Sequence, residues 1–504
     1  ARGAAPPGPG HLSPRPANLY PGGARTVSAP ARSAVAPEHR RPRPGAPCQL
    51  PYDTRLFTGR VRELDQLLAL ARSAPAGSAS GMVVISAIDG MGGVGKSALA
   101  IRAGHRARAQ FPDGQLFVDL HGHTAGIAPV TPADALDWLL RSLGVPPQQI
   151  PEELSTRAAL YRERLADTRT LIVLDNAASS AQVRPLLPGT PGCLVLITSR
   201  KRLTGLDDAY SLAVDVLLDA DAVALLREGA GPGRVPAGHP AADELVRLCG
   251  HLPLAIRIAA ARLRHHRSLH LQDLVDRLRD EHQRLAHLTD EDRSLTAVFA
   301  TSFASVAPDE QDLLRLLGRF PGYDVDTFAV AALAGTDHRT AERLLESLLH
   351  HNLLVERTPG RYLFHDLVGL YARSMAEDRT GETDRDAPLR RLAGYYQHAA
   401  TRANEHLARH TRPGRRPEPA APAALPALKD RAKALAWMRS EHRNLLALLG
   451  HPALAALPSF TVSISADLAA FLLLEGRWSQ AAALHRSAAT AAATVGDRRG
   501  EADA

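Results

Sequence analysis

No stretch of the 504-residue chain is apolar for long enough to cross a bilayer. The longest runs, such as Met82 to Ile85 and Ala469 to Leu474, fall far short of the roughly 18 to 20 residues required, so no transmembrane helix and no membrane partner are expected. Aromatic residues are scarce at 4%, and there are three cysteines. Cys48, Cys193 and Cys249 are odd in number and widely spaced, which fits neither a disulfide framework nor a metal cluster and points to a reducing, cytoplasmic setting. Lysine is rarer still for a basic chain: of 60 basic residues, four are lysine, at positions 96, 201, 429 and 433. The net charge of +7 sits almost wholly in residues 1–50, where seven arginines face one acid, Glu38. The rest is close to neutral, so charge gives the folded part no general case for binding nucleic acid. Residues 1–50 also carry many of the prolines and no periodic apolar pattern, and a disordered Pro/Arg-rich linker is expected there. The start at Ala1, with no apolar h-region behind it, reads as a fragment or processed product rather than a secretory precursor.

What is present is a change of period along the chain. From about 51 to 215, apolar runs of strand length (82–88, 115–120, 170–174, 194–198) alternate with amphipathic helical stretches, the signature of a parallel α/β sheet. Residues 216–290 follow a helical period throughout. Residues 291–375 read as short helices followed by a β-hairpin around Thr358-Pro359-Gly360, a winged-helix-like unit. Helices resume over 376–455, interrupted by a Pro/Ala-rich break at 413–428. The segment 456–504 reads as a helix over 466–474, a turn at Glu475-Gly476-Arg477 and a second helix, the start of a repeat array.

The most informative residues are Gly90-Met91-Gly92-Gly93-Val94-Gly95-Lys96-Ser97-Ala98, which fit GxxxxGK(S/T) between a strand and a helix. Glycines let backbone N–H groups converge on phosphate oxygens at a helix N-terminus. Lys96 is expected to reach the β- and γ-phosphates and Ser97 to ligate Mg²⁺. A glycine-rich hairpin loop is the plainer alternative, but chance supplies such a match in only about two of a thousand chains of this composition. Leu171-Ile172-Val173-Leu174-Asp175 ends an apolar strand on a carboxylate. Such an ending usually marks a strand terminus only; downstream of a P-loop it makes Asp175 the second Mg²⁺ ligand and, with Lys96, the catalytic pair. Asn176 cannot act as a general base, so slow hydrolysis is expected unless another base is supplied. Arg200, after the strand at 194–198, is either a γ-phosphate sensor or a surface arginine.

These segments, taken in order, resemble one family. Phe57-Thr58-Gly59-Arg60, the GMGGVGKS loop, LIVLDN, LVLITSR, Gly250-His251-Leu252-Pro253-Leu254-Ala255 and Phe364-His365-Asp366-Leu367 are similar to the ordered motifs of the NB-ARC module of STAND signal-transduction ATPases. The phrasing resembles the bacterial SARP-type regulators. The resemblance implies an α/β P-loop NTPase with helical, winged-helix-like and TPR-like parts, in which ADP holds a closed form and ATP an open one, often with oligomerisation. It further implies Arg60 near the base or ribose, Pro253 against adenine, Arg200 on the γ-phosphate and His365 on the β-phosphate of ADP. Residues 466–495, with Gly476, Trp478 and Ala481, resemble a tetratricopeptide repeat, which implies a protein or peptide partner.

Two other functions remain open at this point: direct DNA binding through residues 291–375, and phosphoryl transfer to a second substrate. The helix before the hairpin carries Arg339 and Arg343 against Glu342 and Glu346, a balanced charge that disfavours the first. DNA contact is expected instead from a region not present in this chain. Nothing in the sequence resembles an acceptor site for the second.

Overall fold

Four apolar runs and one short segment assemble into a five-stranded, all-parallel sheet. Its strands are β1 (Val84–Asp89), β2 (Gly114–Asp119), β3 (Thr170–Ala177), β4 (Leu194–Ser199) and β5 (Tyr210–Ala213), in the order β2-β3-β4-β1-β5. The computed structural model describes residues 45–74, 84–124, 127–231, 233–290, 293–377, 386–407, 422, 424–455, 457–494, 496 and 498. The central strands are buried on both faces, as parallel strands covered by helices must be. Leu171 and Val173 point into one core, Ile172 and Leu174 into the other. Helices α1 (Val61–Ser73), α2 (Lys96–Ala107), α3 (Pro132–Ser142), α4 (Leu154–Leu165) and α5 (Ser180–Val183) accompany the sheet. The sequence pattern misses β5 because only one of its four side chains is buried, too little to register as an apolar run.

Residues 1–44 of the expected linker lie outside the described residues, and the remainder departs from expectation. Gln115 N donates to Pro47 O at 2.7 Å, and Gln49 N donates to Gln115 O at 2.9 Å. The open edge of β2 supplies the partners that a proline-rich segment cannot find within itself, so ordered backbone begins before residue 50.

Beyond the sheet come α6 (Asp219–Ala230), α7 (Pro240–Leu248), α8 (Pro253–His265), α9 (Leu271–Arg279) and α10 (Glu281–His287). They are followed by α11 (Leu295–Ala304), α12 (Pro308–Gly318), α13 (Thr327–Ala334) and α14 (His338–His350), then the hairpin β6 (Val355–Thr358) and β7 (Arg361–Leu363). The remainder is helical: α15 (Asp366–Glu377), α16 (Ala387–Leu407), α17 (Arg431–Leu449), α18 (Pro452–Ala455), α19 (Pro458–Leu474) and α20 (Trp478–Thr494). Proline occupies the first turn of α7, α8, α12 and α19, where its missing N–H costs nothing and its fixed φ suits the helix. The first helix of the last pair begins at Pro458, eight residues before the expected 466. Its buried Thr461, Ser463 and Ser465 blur the apolar pattern there. Among the described residues no helix is long and apolar enough to cross a membrane.

Candidate functional site

The chain reverses between β1 and α2 through the glycine-rich loop, and the loop is folded around its own lysine. Lys96 Nζ donates to Gly90 O at 2.6 Å and to Met91 O at 2.9 Å. Burial pushes the Lys96 ammonium down to about 7, with Arg200 adding repulsion and Asp175 and Asp89 opposing both. Gly93 takes φ +84° and lies against Leu254, whose N–H donates to Gly93 O at 3.2 Å. At Gly92 a Cβ would sit 2.6 Å from Val298 Cγ1, so that position admits no side chain while α11 rests on the loop.

Asp175 ends the regular part of β3 next to the loop. Its Oδ1 accepts from Thr198 Oγ1 at 2.5 Å, and its carboxylate also bonds the Ser97 hydroxyl. Burial raises the carboxyl above its usual range. Just after it the register between β3 and β4 shifts, and Asn176 adopts φ +57°, a left-handed conformation that asparagine tolerates well. Asn176 N donates to Thr198 Oγ1 at 2.9 Å and its Nδ2 to Thr124 Oγ1 at 3.1 Å. Serine hydroxyl and aspartate carboxylate side by side are hard oxygen donors of the kind Mg²⁺ takes together with phosphate oxygens. Among the described residues no group of three or more His, Cys, Asp or Glu is placed to hold a metal by itself.

Arg200 is not a surface arginine. Its Nη1 donates to Val298 O at 2.9 Å and Ser302 Oγ at 2.8 Å on α11, and its Nη2 to His123 O at 3.1 Å. Burial lowers the guanidinium to about 10.

These groups open on one cavity of about 630 Å³. Arg60, Gly92, Gly93, Val94, Gly95, Lys96, Ser97, Ala98, Asp175, Arg200 and Pro253 all line it. Arg60, held at φ +62° ahead of α1, donates from Nη2 to Val94 O at 3.3 Å and to Asp215 O. Leu56, Phe57, Leu217, Leu225 and Leu254 give one part of the wall an apolar surface suited to a flat base. Two expected residues stand apart. Gly90 lies behind the loop and contributes its carbonyl to Lys96. His365 is not among the lining residues; its Nε2 donates to Gly250 O at 2.8 Å, so it grips the turn before Pro253 instead.

The sequence reading missed His123, Thr124, Arg257 and Arg293, which also line the cavity. The signal for the first two was available, since the C-terminal ends of parallel strands face the ligand crevice and both follow β2. Arg257 lies one turn after Pro253 on α8, a spacing the sequence offered, whereas Arg293 comes from the segment ahead of α11, where no local pattern marks it.

No family model matches the chain. Regulatory protein AfsR of Streptomyces coelicolor is 43% identical over 412 residues, 80% of this chain and 41% of that protein. Regulatory protein AfsR of Streptomyces griseus is 41% identical over 422 residues, 82% of this chain and 42% of that protein. The chain therefore spans about two fifths of the length of these curated relatives. Among solved structures, a STAND protein with a tetratricopeptide repeat sensor from Pyrococcus horikoshii matches 90% of this chain and 64% of its own, at 16% identity and a TM-score of 0.31.

Proposed function

We propose that this chain, similar to the AfsR regulatory proteins over about four fifths of its length and resembling the NB-ARC module of STAND signal-transduction ATPases in its motifs, is an adenine-nucleotide switch. ADP or ATP lies in the cavity with its phosphates on the amides before Ser97, and the bound nucleotide decides how the helices after the sheet are arranged. The observation that carries this reading is the double engagement of Arg200, which lines the cavity and holds α11 through Val298 O and Ser302 Oγ. A γ-phosphate competes for the same guanidinium, because an anion at charge-assisted distance outbids neutral acceptors. Differential affinity of this kind is what a ligand needs in order to shift a conformational equilibrium.

Lys96 exchanges the carbonyls of Gly90 and Met91 for phosphate oxygens. Ser97 and Asp175 hold Mg²⁺, which when bound screens the charge between the β- and γ-phosphates. Pro253 and the leucines around it pack the base, Arg60 lies at the base or ribose, and His365 keeps the Gly250 turn, and through it Pro253, in register. Regulation of transcription, partner binding through α19 and α20, and nucleotide-dependent self-association belong to the same proposal.

The test is to identify the nucleotide that copurifies and to titrate ADP and ATP·Mg²⁺ by calorimetry. Stoichiometric ADP and competition between the two nucleotides are expected; a protein that binds neither has a different function.

A further inference from the structure

We infer that His123 holds the water that attacks the γ-phosphate, an inference that rests on the nucleotide-switch reading above. The loop after β2 does not leave the sheet at Asp119 but continues along β3 past Asp175. Leu120 N donates to Asp175 O at 2.8 Å, and Gly122 N donates to Asn176 O at 2.7 Å. Gly122 makes this approach possible, because a Cβ there would meet Ala178 N at 2.4 Å and Asn176 O at 2.5 Å. The next residue is thereby delivered to the cavity wall shared with Asp175, Thr124 and Arg200.

His123 is 7% exposed, and neither of its ring nitrogens has a hydrogen-bond partner. Buried imidazoles are ordinarily satisfied, so a residue of the cavity wall whose two ring nitrogens are both buried and orphaned marks a group whose partner comes with the ligand, reached when the ring turns toward the cavity. Burial, with the cations Arg200, Lys201 and Lys96 around it, lowers the imidazole to about 3. The ring is neutral at physiological pH and keeps one lone pair free to accept a hydrogen bond. Asn176, next to Asp175, offers no such basic nitrogen. The backbone carbonyl of His123 also accepts from Arg200 Nη2 at 3.1 Å, so the backbone that carries the imidazole is tied to the guanidinium.

In the step this arrangement serves, the water oxygen forms a bond to the γ-phosphorus while the bond from that phosphorus to the β-phosphate oxygen breaks. The electron pair leaves with ADP. The water proton that hydrogen-bonds His123 passes to an oxygen of the departing inorganic phosphate. Because the transition state for phosphoryl transfer is loose, orienting the water matters more than deprotonating it early, and a weakly basic imidazole suffices.

The experiment is phosphate release from ATP·Mg²⁺ by the full 504-residue chain, as parent, His123→Ala and His123→Gln, with ADP affinity by calorimetry and melting temperature for each. His123→Ala is expected to lower kcat roughly 100-fold while KM and ADP affinity stay within threefold. His123→Gln, whose amide oxygen also accepts a hydrogen bond, is expected to regain part of the rate. The inference is overturned if His123→Ala turns over at the parent rate. It is overturned equally if both variants lose ADP affinity as steeply as kcat, or if the parent binds ATP and releases no phosphate; each of these leaves the switch itself standing. A parent that binds neither nucleotide removes the switch reading, and this inference with it.

Discussion

Lys96 spends two of its three donors on carbonyls of its own loop while its ammonium is depressed to about 7 by burial and by Arg200; a polyphosphate would relieve both conditions at once. Lys96→Ala should therefore weaken ADP binding about 10- to 100-fold, the worth of one or two charge-assisted hydrogen bonds, and calorimetry that finds parental affinity refutes the assignment. Asp175→Asn should remove the gain that Mg²⁺ gives to ATP binding, so that variant and parent converge when EDTA is added. Fluorescence titration with and without the metal reads this directly. Lys96, Ser97, Asp175 and Arg200 were legible in the sequence because each sits in a motif whose chemistry demands that residue type. His123 was not, since its place depends on how far the loop follows β3, and that is decided by Gly122 packing onto Asn176 rather than by a local pattern. His365 shows the converse: its motif was readable, yet its ring bonds a carbonyl outside the cavity wall, a geometry set by the approach of two helical segments.

On the proposed reading helix α11 is the element that a switch would move, and two contacts hold it beside the cavity: the bonds from Arg200 at the end of β4 and the fit of Val298 over Gly92 of the phosphate loop. Gly92 has no left-handed backbone requirement, so Gly92→Ala tests steric fit alone. Overpacking of this kind costs about 1–3 kcal/mol. Amide exchange over Leu295–Ala304 should quicken at least about 10-fold in Gly92→Ala, whereas β3 and β4 keep parental protection; equal protection of α11 in variant and parent would remove α11 from the mechanism. The hairpin is anchored separately. Arg361 donates to Asp324 and to Glu441, whose carboxylate is fully buried on α17 and also accepts from Tyr396 Oη at 3.0 Å and Asn444 Nδ2 at 2.7 Å. Arg361→Met strands that carboxylate and should cost about 3–5 kcal/mol, visible as fast exchange along Arg431–Leu449. The hairpin itself was readable from Thr358-Pro359-Gly360, but its tie to a helix 80 residues away was not, because ion pairs across such a span leave no periodic trace.

The helices after the sheet meet its strand ends at several points that do not involve a ligand. Leu254 N bonds Gly93 O at 3.2 Å, Arg202 N bonds His350 O at 2.9 Å, and Asn352 Nδ2 bonds Arg200 O at 2.9 Å. Gly93 and Leu254 line the cavity too, but Arg200 differs in that its hold on α11 is made by a charged side chain that an anion in the cavity competes for. Loss of that one grip therefore weakens the closed arrangement without dismantling it, which is the condition for two states a few kcal/mol apart. If the arrangement follows the nucleotide, small-angle scattering should give a larger radius of gyration with a non-hydrolysable ATP analogue and Mg²⁺ than with ADP. Arg200→Ala removes both the γ-phosphate contact and the α11 grip, so its radius should be the same with either nucleotide, while ADP affinity stays within a few-fold of the parent. A parent whose radius ignores the γ-phosphate would bind nucleotide without switching on it, which overturns the coupling.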